Sequence, residues 1–285
     1  MTLFLALLVL LSAFLHPLWV TLVKRDQQPE TAFLGLCFAL IVIALVHALV
    51  AGYDIMAAVD VWPLILWSWA GQMLYGTALV ITLRRGDLSA YYPIIRSSPL
   101  PIVVIGVVFL GESYDILTLA GIAAVLAGAF LLQYRPGVKF DDPVTLMFAV
   151  IAMAGTAIYS IADSRIMQVI PPPVMMIWVQ VLFFPAYVLV LSRVEVPRPS
   201  LRYLFSWARR PFRYLAIGLV CYGSYYLILF AYQMGGDVAA VTSVRQASIP
   251  FSVLIGGLWL KEQGMGRRLW ASVLLAAGIV VIVVA

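Results

Sequence analysis

Charged residues are scarce in this sequence of 285 residues, of which only 11% are charged and 64% are hydrophobic. A soluble domain usually contains about 25% charged and about 45–50% apolar residues. The chain therefore has too few polar side chains to cover a globule in water. This scarcity excludes a soluble enzyme and a disordered chain, and it predicts an integral membrane protein.

Cysteine and histidine are also rare, with two residues of each. Cys37 and Cys221 lie inside apolar runs without metal-binding or redox spacing, which excludes a disulfide scaffold. The sequence also lacks a glycine-rich phosphate loop, a cluster of metal ligands and a Ser-His-Asp pattern. We therefore expect a protein that is not an enzyme, that has no cofactor or metal, and that is not an ATP-driven pump.

Long hydrophobic runs, in contrast, are abundant. A transmembrane helix needs about 20 apolar residues, and charges, prolines and glycines divide the chain into ten runs of roughly this length. Because each backbone amide in lipid must be satisfied within its own segment, helices are expected. The sequence predicts an all-α integral membrane protein with ten transmembrane helices, at residues 3–23, 31–51, 61–83, 88–110, 115–133, 144–164, 172–192, 212–234, 238–260 and 267–284.

Lysine and arginine are distributed unevenly among the predicted loops. Of these 18 residues, fifteen lie in the loops of one face, Arg165 alone lies on the other, and Arg96 and Arg245 lie within spans. Short loops rich in Lys and Arg face the cytoplasm. We therefore expect a multi-pass protein of the bacterial inner membrane with both termini extracytoplasmic. The same distribution argues against a nucleic-acid partner, although the net charge is +5.

The two halves of the chain contain a repeat. Residues 86–132 and 236–282 align without a gap at an offset of 150, and the informative identities are glycines and polar residues. They are Gly86/Gly236, Asp87/Asp237, Ser98/Ser248, Gly106/Gly256, Glu112/Glu262 and Gly128/Gly278. The sequence thus predicts two five-helix units, 1–140 and 141–285. Because five is odd, the units are expected to be inverted relative to each other in the membrane.

Each unit contains a Gly-Asp lead-in, a proline-interrupted span with an acidic residue at its end, and a glycine-bearing final span. The first reads GDLSAYYPIIRSSPLPIVVIGVVFLGES and LAGIAAVLAGAFLL, and the second reads GDVAAVTSVRQASIPFSVLIGGLWLKEQ and WASVLLAAGIVVIVV. These segments resemble the ten-span EamA-type members of the drug/metabolite transporter superfamily. The resemblance implies a secondary transporter whose substrate site lies near the midplane, where inverted repeats meet.

Two features depart from the family pattern. Gly111-Glu112 of the first unit is replaced by Lys261-Glu262 in the second. Many family members keep both termini in the cytoplasm, whereas the loop charges here predict the opposite. We follow the loop charges.

Arg96 and Arg245 are the candidate substrate-binding residues. Arg96 lies about eight residues into its span and Arg245 about seven, which places them about 10–12 Å below opposite membrane faces. No acidic residue is expected to neutralise them, because Asp163 lies near an outer helix end. Two unpaired guanidinium groups beside a cavity favour binding of a carboxylate or phosphate. Alternatively, each arginine binds carbonyls that neighbouring prolines leave without a donor.

Other polar side chains within the spans are candidates to complete the hydrogen bonding of a small ligand. For any single Tyr or Trp, however, packing or a membrane-interface position is the favoured interpretation. The candidates are Tyr91, Tyr92, Ser97, Ser98, Thr242, Ser243, Gln246 and Ser248 near the arginines, and Gln72, Tyr75, Tyr159, Trp178, Gln180, Tyr222 and Tyr226 on other spans.

His16, beside Pro17, is a candidate for coupling transport to protons, because histidine titrates near neutral pH. A neutral histidine bonded to a neighbouring helix is the simpler alternative. Glu112 and Glu262 are interpreted as helix-end or gate residues.

Three functions are compatible with these features. The first is a secondary transporter that moves a small anionic or zwitterionic metabolite by alternating access, with a proton as the candidate coupling ion. The second is a flippase for an anionic lipid or lipid-linked sugar, and the third is a non-transporting membrane sensor or assembly subunit. Small residues in the fifth and tenth spans permit close helix contact. A monomer is expected, with a homodimer as the alternative.

Overall fold

The computed structural model describes residues 1–24, 29–85, 88–133, 142–193, 211–251 and 265–285. In these ranges the regular structure is helical and no strand is present. Within them, five helices are long and apolar enough to cross a membrane, so the chain is a helical membrane protein. These five segments are Leu3–Val23, Ala32–Val50, Pro143–Ile166, Pro172–Val190 and Tyr214–Gln233.

The described helices follow one another with short connections. They are α1 (Leu3–Lys24), α2 (Pro29–Val50), a 3₁₀ helix (Ile55–Val61), α3 (Trp62–Arg85), α4 (Leu88–Ile95), α5 (Pro99–Phe109), α6 (Ile116–Gln133), α7 (Pro143–Ile166), α8 (Pro172–Arg193), α9 (Pro211–Gln233), α10 (Val238–Val244), a 3₁₀ turn (Arg245–Ala247) and α11 (Met265–Val284).

All ten predicted segments coincide with helical structure, and eight of them coincide with a single helix. Segment 88–110 is divided into α4 and α5. Segment 238–260 begins as α10, passes through the 3₁₀ turn and is helical again over 248–251. Its remainder, 252–260, lies outside the described residues.

Proline and aspartate explain where several helices begin. The missing N–H of proline costs nothing in the first turn of a helix, and α5, α7 and α8 each begin at a proline. Asp142 caps α7 by accepting from the Val144 amide at 2.9 Å, and Asp237 caps α10 by accepting from the Ala240 amide at 2.7 Å. Such side-chain caps satisfy amides that have no partner within the helix.

Helices α3 and α7 pack with their backbones in contact. A Cβ atom added to Gly71 would lie 2.6 Å from the Tyr159 amide nitrogen, and one added to Gly155 would lie 2.6 Å from the Tyr75 amide nitrogen. Only glycine fits at both positions. This crossing joins one helix from the first part of the chain to one from the second.

Helices α6 and α11 form a second glycine crossing. A Cβ atom on Gly128 would lie 2.7 Å from the Leu275 amide nitrogen, and one on Gly278 would lie 2.7 Å from the Gly121 carbonyl oxygen. The small residues that the sequence analysis noted in these segments therefore bring two helices of one chain together.

Helices α1 and α9 are joined by a pair of serines. The Ser12 hydroxyl donates to the Ser224 carbonyl at 2.6 Å, and the Ser224 hydroxyl donates to the Ser12 carbonyl at 3.0 Å. Both serines are buried. Helices α2 and α8 also pack on each other, so the main helix pairs connect the first part of the chain to the second.

Candidate functional site

The two candidate arginines lie where helices are interrupted. Arg96 follows the last residue of α4, and α5 begins three residues later at Pro99. Arg245 follows the last residue of α10 and begins the 3₁₀ turn. Prolines beside each arginine disfavour a continuous helix, since proline removes a donor and restricts the residue before it. The predicted proline interruption is present between α4 and α5, whereas at Arg245 the helix tightens to a 3₁₀ turn and continues over 248–251, with Pro250 inside that helical segment.

The two interruptions meet in the interior. The Arg96 guanidinium donates through Nη2 to the Ser248 hydroxyl oxygen at 2.5 Å, across 152 residues of sequence. Ser248 is buried. Within the described residues, the hydrogen-bond partner of Arg96 is therefore the Ser248 hydroxyl and not a carbonyl that a proline leaves without a donor. The interpretation of Arg96 as a binder of carbonyls is not supported by this contact.

Arg245 faces a group of tyrosines. The tyrosines within electrostatic range of its guanidinium are Tyr159, Tyr232 and Tyr75. The rings of Tyr75 and Tyr159 pack edge to face, with centroids 6.2 Å apart. Among the described residues, the Nε atoms of Arg96 and Arg245 are both buried without a hydrogen-bond partner. Unused donors of this kind can bind an added acceptor.

His16 belongs to the same region. Both Arg96 and Arg245 lie within electrostatic range of its imidazole, and its ring packs edge to face against Trp19 at 5.1 Å between centroids. The structure thus places the coupling candidate beside the arginine pair. Its role in coupling stays a prediction.

The expectation that the arginines have no buried acidic neighbour is wrong. Asp163 is 1% exposed and lies within electrostatic range of Arg245. Its Oδ1 accepts from the Ser68 hydroxyl at 2.5 Å, and its Oδ2 accepts from the Tyr225 hydroxyl at 2.6 Å. Asp163 is near the end of α7, as expected, but α3 and α9 cover it.

Among the predicted residues, Gln72 binds the two hydroxyl groups that donate to Asp163, the acid that the sequence analysis did not place here. Its amide nitrogen donates to the Tyr225 hydroxyl at 3.1 Å and to the Ser68 hydroxyl at 3.3 Å. The sequence did contain a signal. Ser68 and Gln72 are four residues apart on one face of an otherwise apolar helix, which is the spacing at which helical side chains share a partner.

Several predicted residues direct their polar groups toward their own helix. The Ser97 hydroxyl donates to the Pro93 carbonyl at 2.8 Å, and the Gln246 amide donates to the Thr242 carbonyl at 3.2 Å. The hydroxyls of Thr242 and Ser243 also donate to carbonyls of α10. Ser98 is buried and makes no side-chain cap at α5. The hydrogen bonds of these groups thus satisfy backbone carbonyls of their own helical segments.

Other predicted residues lie away from the arginines. Tyr222 pairs with Nδ1 of His47 at 2.7 Å, and its ring stacks with that of Tyr226, with centroids 5.8 Å apart. Trp178 donates to the Ile55 carbonyl at 2.9 Å.

Tyr91 donates to the Asp142 carbonyl at 3.4 Å, at the end of α7 opposite to Asp163. Gln180, on α8, is buried, and its Oε1 has no partner among the described residues. The side chain of Tyr92 and all of Glu262 lie outside the described residues.

Glu112 forms the contact expected of a residue at a helix end. It accepts from Arg165 at 3.3 Å and from the Tyr114 hydroxyl at 2.5 Å. Burial raises the pKa of Tyr114, and its hydrogen bond to Glu112 raises it further. Burial also raises the pKa of nearby Asp237. A Cβ on Gly106 would lie 2.5 Å from Glu112 Oε2, so this glycine makes room for the carboxylate.

A second ion pair joins the C-terminal end of α3 to the N-terminal end of α7. Arg85 lies 3.2 Å from Asp142, and both side chains are substantially exposed. The Thr145 hydroxyl that donates to Asp142 holds the pKa of this carboxyl below its usual value. No group of three metal-ligating side chains is present in the part of the chain that the structure describes.

The fold has been seen before. No protein-family profile and no curated protein matches the chain. A solved crystal structure aligns with 99% of this chain and 96% of its own, with a TM-score of 0.75 and 18% sequence identity. At this identity the likeness shows a common fold and carries no information on activity.

Proposed function

We propose that the chain is a secondary transporter of a small anionic or zwitterionic metabolite, of the EamA type within the drug/metabolite transporter superfamily. The observation that carries the proposal is the meeting of two helix interruptions, each with a half-buried arginine whose Nε atom is buried without a partner, in a helical membrane protein. Interrupted helices near the midplane form the substrate sites of many secondary transporters.

The pairing of helices supports two inverted five-helix repeats. If the first to fifth segments exchange places with the sixth to tenth, the α3–α7 pair becomes the α9–α1 pair, and both pairs pack in the structure. The α3–α8 and α9–α2 pairs are exchanged in the same way. The α2–α8 and α6–α11 pairs are converted into themselves. An internal twofold relation explains this pattern simply.

The ends of the described chain support an even number of crossings. The Met1 amino group lies 3.4 Å from the Ile282 carbonyl, so residues 1 and 282 are at the same face. Ten spans satisfy this condition. The loop charges then place both ends outside the cytoplasm, in the inner membrane of a bacterium. Because α6 and α11 use their small residues on each other, the working unit is proposed to be a monomer.

The arginine pair supplies the chemistry of recognition. A guanidinium offers a planar fork of donors that matches a carboxylate or phosphate. With Asp163 ionised, the two arginines and Asp163 together carry one excess positive charge. This excess attracts an anion, and the hydroxyl of Ser248 and the nearby tyrosines complete its surroundings. Alternating access requires outer contacts such as Glu112–Arg165 to open and close.

Flux in vesicles tests this proposal. Purified protein in sealed vesicles is assayed for uptake and efflux of carboxylates, amino acids and organophosphates. We expect flux of at least one of these anions, and we expect Arg96→Lys to weaken its apparent affinity because lysine keeps the charge but loses the fork. Arg193→Lys, at the end of α8, is the matched control and should transport normally.

Absence of flux for every soluble anion would contradict the proposal. If a labelled anionic lipid were moved instead, the chain would be a flippase. If nothing were moved, the sensor or assembly role would be favoured.

A further inference from the structure

Asp163, Ser68, Tyr225 and Gln72 form a closed hydrogen-bonded ring between α3, α7 and α9. The Gln72 amide nitrogen donates to both hydroxyls, at 3.1 and 3.3 Å. Each hydroxyl in turn donates to one oxygen of Asp163, at 2.5 and 2.6 Å. The ring thus joins three helices through one carboxyl group.

The chemistry of the amide sets the direction of every hydrogen in this ring. An amide nitrogen carries two hydrogens and accepts none, whereas a hydroxyl has a single hydrogen to donate. Since both hydroxyls accept from Gln72, both must direct their hydrogens to Asp163. Both carboxyl oxygens are then acceptors. The arrangement fits an ionised Asp163, and a proton can bind it only if the hydrogens of the ring are rearranged.

Asp163 also lies near Arg245. Arg245 is the cation within electrostatic range of its carboxylate. The other titratable groups that face Asp163 are Tyr225 and Tyr232 of α9, while α3 presents Ser68 and Gln72, which do not titrate. An anion bound at Arg245 would therefore lie near a second negative charge.

We propose that Asp163 is the site at which a coupling proton binds, and that its protonation removes the negative charge that opposes binding of an anionic substrate at Arg245. This inference rests on the proposed transport function. Proton and anion then bind together and cross together, so the chain is a proton–anion symporter. His16 is a less direct candidate, because a proton on its imidazole leaves the carboxylate facing Arg245 unchanged.

The ring can take up the proton with the loss of one of its four contacts. The proton binds Oδ2 of Asp163, and this new hydroxyl donates to the Tyr225 oxygen. The Tyr225 hydrogen must then turn toward Gln72. Rotation of the Gln72 amide exchanges its nitrogen for its oxygen, which accepts that hydrogen. The Ser68 hydroxyl continues to donate to Oδ1, and its contact with Gln72 is lost because the rotated amide presents an oxygen.

Infrared difference spectra between acid and alkaline pH test proton binding without any substrate. Among the carbonyl bands that the 13 acidic residues give on acidification of the purified protein, one component should be lost in Asp163→Asn. Ser164→Ala is the matched control, because the neighbouring Ser164 hydroxyl donates to the Ile161 carbonyl at 2.8 Å. The control should keep this band. A spectrum of Asp163→Asn in which no such band is lost overturns the proposal.

Anion binding tests the link to Arg245. Acetate and inorganic phosphate are used as probes, and their apparent affinities are obtained from the rise in melting temperature. We expect wild-type affinity for at least one probe to be about tenfold higher at acid than at alkaline pH, within the usual range of coupling between sites. Asp163→Asn should bind that probe with the acid affinity at both pH values. Wild-type pH dependence in Asp163→Asn overturns the proposal.

The two proposals fail in different ways. If the infrared band titrates as expected but no transport or anion binding is found at any pH, proton binding at Asp163 stands and the transport function fails. If anions bind and are transported with no contribution from Asp163, the reverse holds. Should Asp163→Asn not fold, Ser68→Ala and Tyr225→Phe each remove one donor to the carboxylate. Each should move the midpoint of the band to higher pH, and an unmoved midpoint in both overturns the proposal.

Discussion

Arg96 and Arg245 occupy corresponding interruptions in the two parts of the chain, yet their surroundings differ. Arg96 donates to the hydroxyl of Ser248, and among the described residues no carboxylate forms an ion pair with it. Arg245 lies among tyrosines and within range of Asp163. A similar backbone thus supports one cation with a neutral partner and one cation with an anion nearby. On the proposed function, both arginines would bind the anion, and only binding at Arg245 would depend on the charge of Asp163.

The largest effect is expected from Arg245→Gln, which leaves the carboxylate of Asp163 buried without its cation. Arg245 is within electrostatic range of this carboxylate without an ion pair being present between them, and a buried charge left uncompensated typically costs about 3–5 kcal/mol of stability. Thermal and denaturant unfolding of the purified protein at alkaline pH would measure this loss. The double variant Arg245→Gln/Asp163→Asn should recover most of it. Equal stability of the single and double variants would show that the two residues do not interact.

Arg96→Gln should mainly affect binding. Its partner is a neutral hydroxyl, so the empty protein should lose little stability. Loss of a buried cation from an ion pair with a ligand costs about 2–5 kcal/mol, which is roughly a 30-fold or greater loss of anion affinity. Affinity is measured from ligand-induced stabilisation, beside unfolding of the empty protein. An unfolding loss as large as that of Arg245→Gln would remove the contrast between the two sites.

Ser248→Ala gives the smallest effect. It removes the hydroxyl that accepts from Arg96, and one such hydrogen bond contributes about 1 kcal/mol. We expect anion affinity to fall by a few fold, because the guanidinium is less well oriented. Ser97→Ala is the control, since its hydroxyl serves the Pro93 carbonyl. A larger loss in Ser97→Ala than in Ser248→Ala would contradict the assignment of Ser248 as the orienting residue.

The sequence predicted the helices well because each depends on local properties. Apolar length defines α1, α2 and α8, and prolines beside Arg96 mark the interruption between α4 and α5. The depth of a residue in the membrane could also be counted from the end of its span. A position of Arg96 and Ser248 near the interior could therefore be predicted.

The neighbours of each side chain could not be predicted in the same way. Asp163 was counted as an outer residue because its distance from the helix end is short. Its burial depends on the crossing at Gly71 and Gly155, which brings Ser68 of α3 beside it. Likewise, Tyr222 and Trp178 looked equivalent to Tyr159 in an apolar run, and only the packing of α8 and α9 separates them from the arginines. Helix pairing is a long-range property that no single segment contains.

The glycine crossing between α3 and α7 has a consequence for how such a molecule can move. With backbones in direct contact, these two helices cannot slide or tilt apart without losing their packing, so they form one rigid block. The Arg85–Asp142 ion pair joins the two helices of that block, so we expect it to stay closed when the block moves. The serine pair fastens α1 to α9 in a second block. Moving parts would then each combine helices from both sequence halves, and the sliding surface would run between these mixed blocks.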